Sequence, residues 1–162
     1  MGQCMASDQL SNADAIVIDA NVIVAISSGE AGRDAMATAE LTRYASLGYK
    51  WFAPGVIIAE TPFALCGKLN GNILSPVNYA TAIRTFQRTM RNVLPPPNGD
   101  IALIQRSEQI ASGYGCSRSA DSIYIALAEQ LAQTRPTVLI TFDKELPKQA
   151  ARHTPTVKVL VL

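Results

Sequence analysis

The chain has 162 residues, of which 48% are apolar and 17% are charged, and its formal net charge is +1. This length and composition predict one globular domain with a substantial core and exclude a disordered chain. A strong basic bias, which would indicate nucleic-acid binding, is absent, so any such role has to come from local clusters of charge.

The three cysteines, Cys4, Cys66 and Cys116, are scattered and odd in number. This pattern disfavours a zinc knuckle or a disulfide framework and fits a reducing, cytoplasmic setting. No apolar run approaches the roughly 18 residues that span a bilayer, so we expect no membrane association. The start of the chain lacks the basic and apolar regions of a signal peptide. Residues 1–13 are predicted to be a flexible lead-in to a single domain over residues 14–162.

Taken in chain order, strand-like and helix-like segments alternate. Nearly continuous apolar runs, typical of buried parallel strands, occur at 14–19, 50–53, 137–142 and 156–162. Helical patterns lie between them, at 32–47, 56–69, 76–93, 101–112, 120–133 and 144–152. The proline-rich stretch 94–99 is predicted to be a stiff loop within the domain. This alternation predicts an α/β fold with a parallel sheet.

Four carboxylates lie at the edges of these apolar segments or among apolar neighbours. Asp19 and Asp143 end predicted strands, where open α/β sheets bind their ligands. Asp121 lies in the first turn of a predicted helix. Glu60 lies within another, and its neighbours three and four positions away are apolar, which predicts a face that turns toward the core. If the fold gathers the four acids, protons or a divalent cation must relieve their repulsion.

Simpler structural roles stay open for three of these acids. Asp19 could form an Asx-turn, Asp143 could cap the helix after it, and Asp121 suits the positive end of a helix. The polar residues near the acids in sequence could orient them by hydrogen bonds, and ordinary turn and cap chemistry is an equal alternative; they are Asn21, Thr141 and Ser122.

Other common catalytic groups are missing from the sequence. His153 is the only histidine, which disfavours serine or cysteine triads and zinc sites with several histidines. Gly67-Lys68 lacks the upstream glycine of a P-loop, and no dinucleotide-binding glycine motif follows a strand. A site made of carboxylate oxygens suits Mg²⁺ or Mn²⁺, and such a site activates water and holds phosphate oxygens. That is the chemistry of metal-dependent phosphodiester cleavage.

Three segments resemble motifs of the PIN-domain ribonucleases. Residues 16–24 resemble the opening strand of these enzymes with its aspartate. Residues 120–129 resemble their third acidic motif, and residues 139–146 resemble their last one, Thr-x-Asp at a strand end. Glu60 stands where the family has a glutamate on a helix. Asn21 departs from the serine or threonine that is common at its position.

The resemblance implies a three-layer α/β/α sandwich around a central parallel sheet. It also implies an endoribonuclease whose Mg²⁺ or Mn²⁺ is held by the catalytic acids Asp19, Glu60, Asp121 and Asp143. Many small members are toxins of VapBC-type toxin–antitoxin pairs, so it further implies a small antitoxin partner and a homodimer.

An RNA substrate needs cations near these acids. Arg118 and Lys144 lie close to an acid in sequence and are the predicted RNA contacts. Arg84, Arg88 and Arg91 recur at helical spacing, and a solvated helix surface is at least as good an interpretation for them. Tyr124 could stack on a base, although its apolar helix favours a place in the core.

Two alternatives stay open at the level of sequence. The first is a PIN-like module that binds RNA or protein without cleaving it, which a nuclease assay would separate from the enzyme. The second is a phosphoacceptor or haloacid-dehalogenase-like domain, which also has aspartates at strand ends. The dehalogenase pattern requires a second aspartate where Asn21 stands.

Overall fold

The computed structural model of the protein describes residues 13–116 and 119–162, without the side chain of Ser119. Of the lead-in predicted over 1–13, residues 1–12 lie outside the described residues. Arg118, one of the two predicted RNA contacts, also lies outside them.

The described residues form a sheet of five parallel strands in the order β3-β2-β1-β4-β5. The strands are β1 Ala15–Ile18, β2 Lys50–Phe52, β3 Val93–Leu94, β4 Thr137–Thr141 and β5 Lys158–Val161. The predicted parallel sheet is confirmed, and the four predicted strands are present at nearly the predicted bounds. The short strand β3 falls where the end of a helix and the start of a loop were predicted, so that part of the prediction is wrong.

The two central strands, β1 and β4, end at the same edge of the sheet. Ile18 lies opposite Ile140 in their register. Every residue of both strands is buried, which explains why the sequence shows continuous apolar runs there instead of alternation. The chain leaves β1 toward β2 on one side and returns to β4 on the other. This reversal of strand order is where open α/β sheets form their ligand crevice.

Seven α-helices surround this sheet in the described part of the chain. They are α1 Ala20–Ser28, α2 Arg33–Ser46, α3 Ile57–Asn70, α4 Pro76–Met90, α5 Ile104–Gly113, α6 Ser119–Ala132 and α7 Leu146–His153. A 3-10 turn, Asp100–Leu103, leads into α5. Helices α1 to α4 pack on one another, and α5 packs on α6 and α7, while α6 also covers β1 and β4. This is the expected α/β/α arrangement. None of these helices is both long and apolar enough to cross a bilayer.

Helix α1 is not among the predicted helices, because its β-branched run is typical of a strand. It begins after Asp19, which has an extended backbone, and ends at Gly29, where φ is +62°. The N–H groups of Gly29 and Glu30 donate to the carbonyls of Ile26 and Ala25, which is a Schellman motif. Burial of Val22 and the residues beside it offsets the low helix propensity of this segment. The motif sends the chain back across the carboxyl edge of the sheet.

The loop before α3 is fixed by a contact from a distant part of the chain. The N–H of Gly55 donates to the Asp100 carboxylate at 2.7 Å. A Cβ at position 55 would lie 2.6 Å from the other oxygen of that carboxylate, so any larger residue requires the Asp100 side chain to move. Because α3 carries Glu60, this contact also fixes the start of the helix that positions one of the predicted acids.

We expect Gly55→Ala to lower the free energy of unfolding by about 1–2 kcal/mol, because the carboxylate must move and the partly buried N–H of residue 55 loses its acceptor. Gly67→Ala is the matched control within α3. Nothing lies within 4 Å of a Cβ there, so it should raise stability by about 0.5–1 kcal/mol through helix propensity. Urea denaturation of both variants measures the difference. Equal effects of the two substitutions would contradict the proposed clash.

Candidate active site

Asp19 lies at the carboxyl edge of the sheet, directly after β1. Its N–H extends the pairing of the central strands by donating to the carbonyl of Ile140 at 3.1 Å. The residue is only 5% exposed. Its Oδ2 atom accepts hydrogen bonds from the Thr141 hydroxyl at 2.6 Å and from the Asn21 side-chain amide at 2.7 Å. The carboxylate is therefore held in one orientation by groups on both sides of the strand junction.

Asn21 and Thr141 connect the ends of β1 and β4 in a continuous network. The Asn21 side chain donates to the Thr141 hydroxyl at 3.0 Å and accepts the N–H of Phe142 at 3.0 Å. The Thr141 hydroxyl in turn accepts the N–H of Asp143 at 2.9 Å. Both residues thus lie where hydrogen bonds can orient Asp19.

Glu60 is held by a hydrogen bond from a buried tyrosine on α6. The hydroxyl of Tyr124 on α6 donates to Glu60 Oε2 at 2.6 Å. Burial, followed by this hydrogen bond, raises the pKa of Tyr124 well above its usual range, so the phenol stays protonated and remains a donor. Tyr124 is 1% exposed. The predicted core location is therefore correct, and the residue also contacts an acid of the site.

Three of the four predicted acids share one cleft. Asp19, Glu60 and Asp121 line an opening of about 340 Å³ at the carboxyl edge of the sheet. They reach it from the end of β1, from α3 and from the first turn of α6. The spatial convergence predicted for these three acids is present, while their chemical roles stay predictions.

The shared cleft places like charges close to a buried carboxylate. Burial, and after it the charges of Asp121 and Glu60, raises the pKa of Asp19 from its ordinary 3.8 to about 6, although the hydrogen bond from Thr141 lowers it. The ionised form of Asp19 is therefore unfavourable in the protein alone. A bound cation would offset this unfavourable charge.

Asp143 differs from the other three acids in what its side chain contacts. Among the described residues that line the cleft, it is absent. Its carboxylate accepts the N–H of Glu145 at 2.8 Å, which is an Asx-turn. The alternative that Asp143 caps the next helix is wrong, because the N-cap residue of α7 is Glu145 and, among the described residues, no side chain caps that helix. The N–H of Asp143 donates to the Thr141 hydroxyl, which in turn donates to Asp19, so hydrogen bonds link its backbone to the site. Its side chain instead supports the turn into α7.

Ser122, the third predicted supporting residue, contacts a different helix. It is completely buried, and its hydroxyl lies 2.7 Å from that of Ser107 on α5, with either atom able to donate. This contact joins α5 to α6 and so steadies the helix that carries Asp121.

None of the cations weighed as RNA contacts that can be described lines the cleft. Lys144 is exposed, and among the described residues that line the cleft it is absent. The three arginines at helical spacing, Arg84, Arg88 and Arg91, are exposed on or just after α4.

The cleft instead contains a cation, an acid and an aromatic ring that the sequence interpretation missed: Arg33, Glu30 and Phe63. The prediction that the apolar neighbours of Glu60 turn toward the core is wrong for Phe63, because this residue, three positions after Glu60, is 82% exposed. Its spacing from Glu60, three residues on a helix, was the available signal. Arg33 could not be placed, because its position depends on the unpredicted helix α1.

The donor chemistry of the cleft fits a hard divalent cation, since it offers only carboxylate and amide oxygens. In the described part of the chain, however, no three acidic, histidine or cysteine side chains are close enough to form a complete ligand set. The acids thus share a cleft and repel one another without being preassembled around one point.

Comparison with known proteins agrees with this fold. VapBC2 from Rickettsia felis bound to a DNA fragment from their promoter is similar over 91% of this chain and 98% of that chain, with 9% identity and a TM-score of 0.59. PAE2754 from Pyrobaculum aerophilum is similar over 90% of this chain and 83% of that chain, with 20% identity and a TM-score of 0.52. At these identities the likeness shows the fold alone.

Sequence comparison with curated proteins gives no significant match. The profile of the PIN domain family matches residues 16–152. This range contains all four predicted acids and favours the PIN interpretation over the dehalogenase-like one. Because the match covers most of the chain, the protein belongs to the PIN domain family.

Proposed function

We propose that this protein is an endoribonuclease that hydrolyses RNA phosphodiester bonds with the help of Mg²⁺ or Mn²⁺. The observation that carries the proposal is the meeting of Asp19, Glu60 and Asp121 in one cleft at the carboxyl edge of a PIN fold. A buried carboxylate beside two like charges lowers stability unless a cation is present. PIN domains are generally nucleases, which agrees with this arrangement.

In this proposal Asp19, Glu60 and Asp121 would hold the cation from within the cleft. Asp143 would be the fourth acid, as the family resemblance implies. The cation supplies a more acidic water and offsets charge on the phosphoryl oxygens. Thr141 and Asn21 fix the rotamer of Asp19 by donating to its carboxylate. Tyr124 does the same for Glu60. Hydrolysis by water leaves a 5′-phosphate on the product, whereas a 2′,3′-cyclic phosphate would contradict the scheme.

We further propose that the chain is the toxin of a type II toxin–antitoxin pair, with a small antitoxin as its partner. Its fold likeness to VapBC2 from Rickettsia felis and its single-domain size support this role. The homodimer implied by the family resemblance stays a prediction. The test is genetic, since a small neighbouring reading frame with a DNA-binding start should relieve the growth arrest caused by this chain.

A second candidate function is a PIN domain that binds RNA or protein without cleavage. The observation that favours it is the incomplete ligand set among the described residues. A cleavage assay on mixed RNA, with Mg²⁺, Mn²⁺ or a chelator, separates the two functions directly.

We expect Asp19→Asn and Asp121→Asn each to reduce cleavage by at least about 100-fold, more than the loss of a supporting group usually causes. Asp34→Asn on α2 is the control and should keep full activity. Its carboxylate accepts a hydrogen bond from the exposed Thr38 hydroxyl at 3.2 Å, and Asp34 is absent from the described residues that line the cleft. Gel analysis of labelled RNA measures the rates. Full activity in Asp19→Asn would rule out a ligand role for that residue.

We expect Tyr124→Phe to raise the Mn²⁺ concentration needed for half-maximal cleavage by about tenfold, because Glu60 loses the donor that orients it. Tyr79→Phe on α4 is the control, since Tyr79 packs against a separate apolar cluster. Titration of activity with Mn²⁺ measures both variants. An unchanged metal requirement combined with a lower melting temperature would show that Tyr124 only packs.

We expect the pKa of Asp19, raised from 3.8 to about 6, to make the metal-free protein less stable as pH rises. Folding favours the neutral carboxyl, so its contribution is complete below about pH 4 and is lost as pH passes through 6. Asp19→Asn lacks this loss and should be the more stable protein at pH 7, by on the order of 2–3 kcal/mol.

Urea denaturation of the wild type and Asp19→Asn in chelator, between about pH 4 and pH 7, measures this difference. Adding Mg²⁺ at neutral pH should stabilise the wild type and narrow the gap between the two proteins. A gap that does not change with pH would show that the charge of Asp19 is not the cause.

A further inference from the structure

The acidic cleft has lining residues that the proposed chemistry does not use. Arg33 is the first residue of α2, and Phe63 lies on α3, one turn after Glu60. Glu30 lies between α1 and α2 and pairs with Arg33. A single exposed apolar residue on a protein surface needs no explanation. A ring and a guanidinium that line the same cleft as three carboxylates do suggest a ligand with both an apolar face and negative charge.

Phe63 supplies the apolar face. Its side chain is 82% exposed although it borders charged groups. A ring held in this way on a regular helix presents a flat surface to a ligand at low cost in conformational freedom. Unpaired bases stack on aromatic side chains whatever their sequence, whereas bases within a duplex have their faces covered by their neighbours.

Arg33 supplies the positive charge that an anion needs near three acids. Its guanidinium lies over the ring of Phe142, 5.0 Å from the ring centroid, and 3.0 Å from Glu30. Glu30 also pairs with Lys68 at 3.2 Å. Two cations therefore share one carboxylate, so the charge of Arg33 is only partly neutralised by Glu30. A guanidinium that is stacked and half exposed is well prepared to bind a phosphate.

We propose that Phe63 and Arg33 form a binding subsite for single-stranded RNA at the mouth of the acidic cleft. Phe63 stacks on an unpaired base, and Arg33 contacts the adjoining phosphate while Lys68 adds to the local positive charge. The inference rests on the proposed function, since it names the form of RNA that reaches the acids. It selects unpaired RNA because only an unstacked base can cover the Phe63 ring.

The chain contains a close control for Arg33 in the same helix. Arg43 pairs with Glu40 in the same i,i+3 arrangement, with side-chain exposures of 50% and 31% against 53% and 30% for Arg33 and Glu30. Arg43 also lies over an aromatic ring, that of Tyr44. Arg43 differs in the respect that the test requires, because it is absent from the described residues that line the cleft.

The experiment is a fluorescence-anisotropy titration of a short labelled single-stranded RNA of mixed sequence, with Mg²⁺ and with Asp121→Asn in every protein to stop cleavage. We expect Phe63→Leu to weaken binding about tenfold and Phe63→Trp to preserve it, since leucine keeps apolar bulk and loses the ring. Arg33→Gln should weaken binding and reduce the slope of log affinity against log salt by about 0.7, whereas Arg43→Gln should change neither.

A duplex of the same sequence should bind the parent protein more weakly, and Phe63→Leu should not affect that binding. The inference is overturned if Phe63→Leu binds as well as the parent, if Arg33→Gln and Arg43→Gln behave alike, or if the duplex binds better. The inference is also overturned if Phe63→Leu and Arg33→Gln leave RNA binding unchanged and weaken only the binding of a protein partner. Circular dichroism checks the fold, which these exposed positions should not disturb.

The two proposals fail in different ways. If RNA binding depends on Phe63 and Arg33 but the wild type does not cleave RNA, the proposed nuclease function is wrong and the proposed RNA subsite stands. If the protein cleaves RNA with a KM that neither Phe63→Leu nor Arg33→Gln changes, the proposed subsite is wrong and the proposed nuclease function stands.

Discussion

The hydrogen bond from Thr141 to Asp19 joins the ends of two adjacent parallel strands, and the site depends on it. The register of β1 and β4 brings these residues level, and Asn21 ties the junction by contacting both. A buried carboxylate needs such donors, because an unsatisfied charge in the interior is very unfavourable. The same contacts fix its orientation toward the cleft that Glu60 and Asp121 share.

This arrangement favours chemistry at the expense of stability. Burial is the largest cause of the raised pKa of Asp19, and the negative charges of Asp121 and Glu60 raise it further. Neither of these two acids can neutralise the charge of Asp19. Repeated like charges in one cleft resist ionisation, and a cation would relieve that repulsion. The proposed cation binding and the unfavourable ionisation of Asp19 therefore have the same physical origin. The hydrogen bonds from Thr141 and Tyr124 act in the opposite sense by holding individual carboxylates in place.

Much of this could be predicted from sequence, because Asp19 follows an apolar strand and parallel strands end at one edge of the sheet. The helix α1 could not, since its β-branched residues favour a strand locally and only burial in the folded protein reverses that preference. Phe63 was placed in the core by periodicity, which cannot tell which side of an apolar helix is left uncovered. Arg33 lines the cleft because the chain turns at Gly29 after α1. Its position therefore depends on a helix that the local sequence pattern does not predict. The carboxylate of Asp143 could be a ligand or a cap on sequence grounds, and its contact with Glu145 is an Asx-turn before α7 that leaves the ligand role a prediction.

The two ends of the central junction are 122 positions apart along the chain. A ribosome that has made the first three strands has therefore produced Asp19, Asn21 and Glu60 without the threonine that orients the first of them or the helix that brings Asp121. The nascent polypeptide cannot assemble its cleft until synthesis is nearly finished. For the endoribonuclease proposed above, this order of events would keep the growing chain inactive toward the message and the ribosome that are producing it.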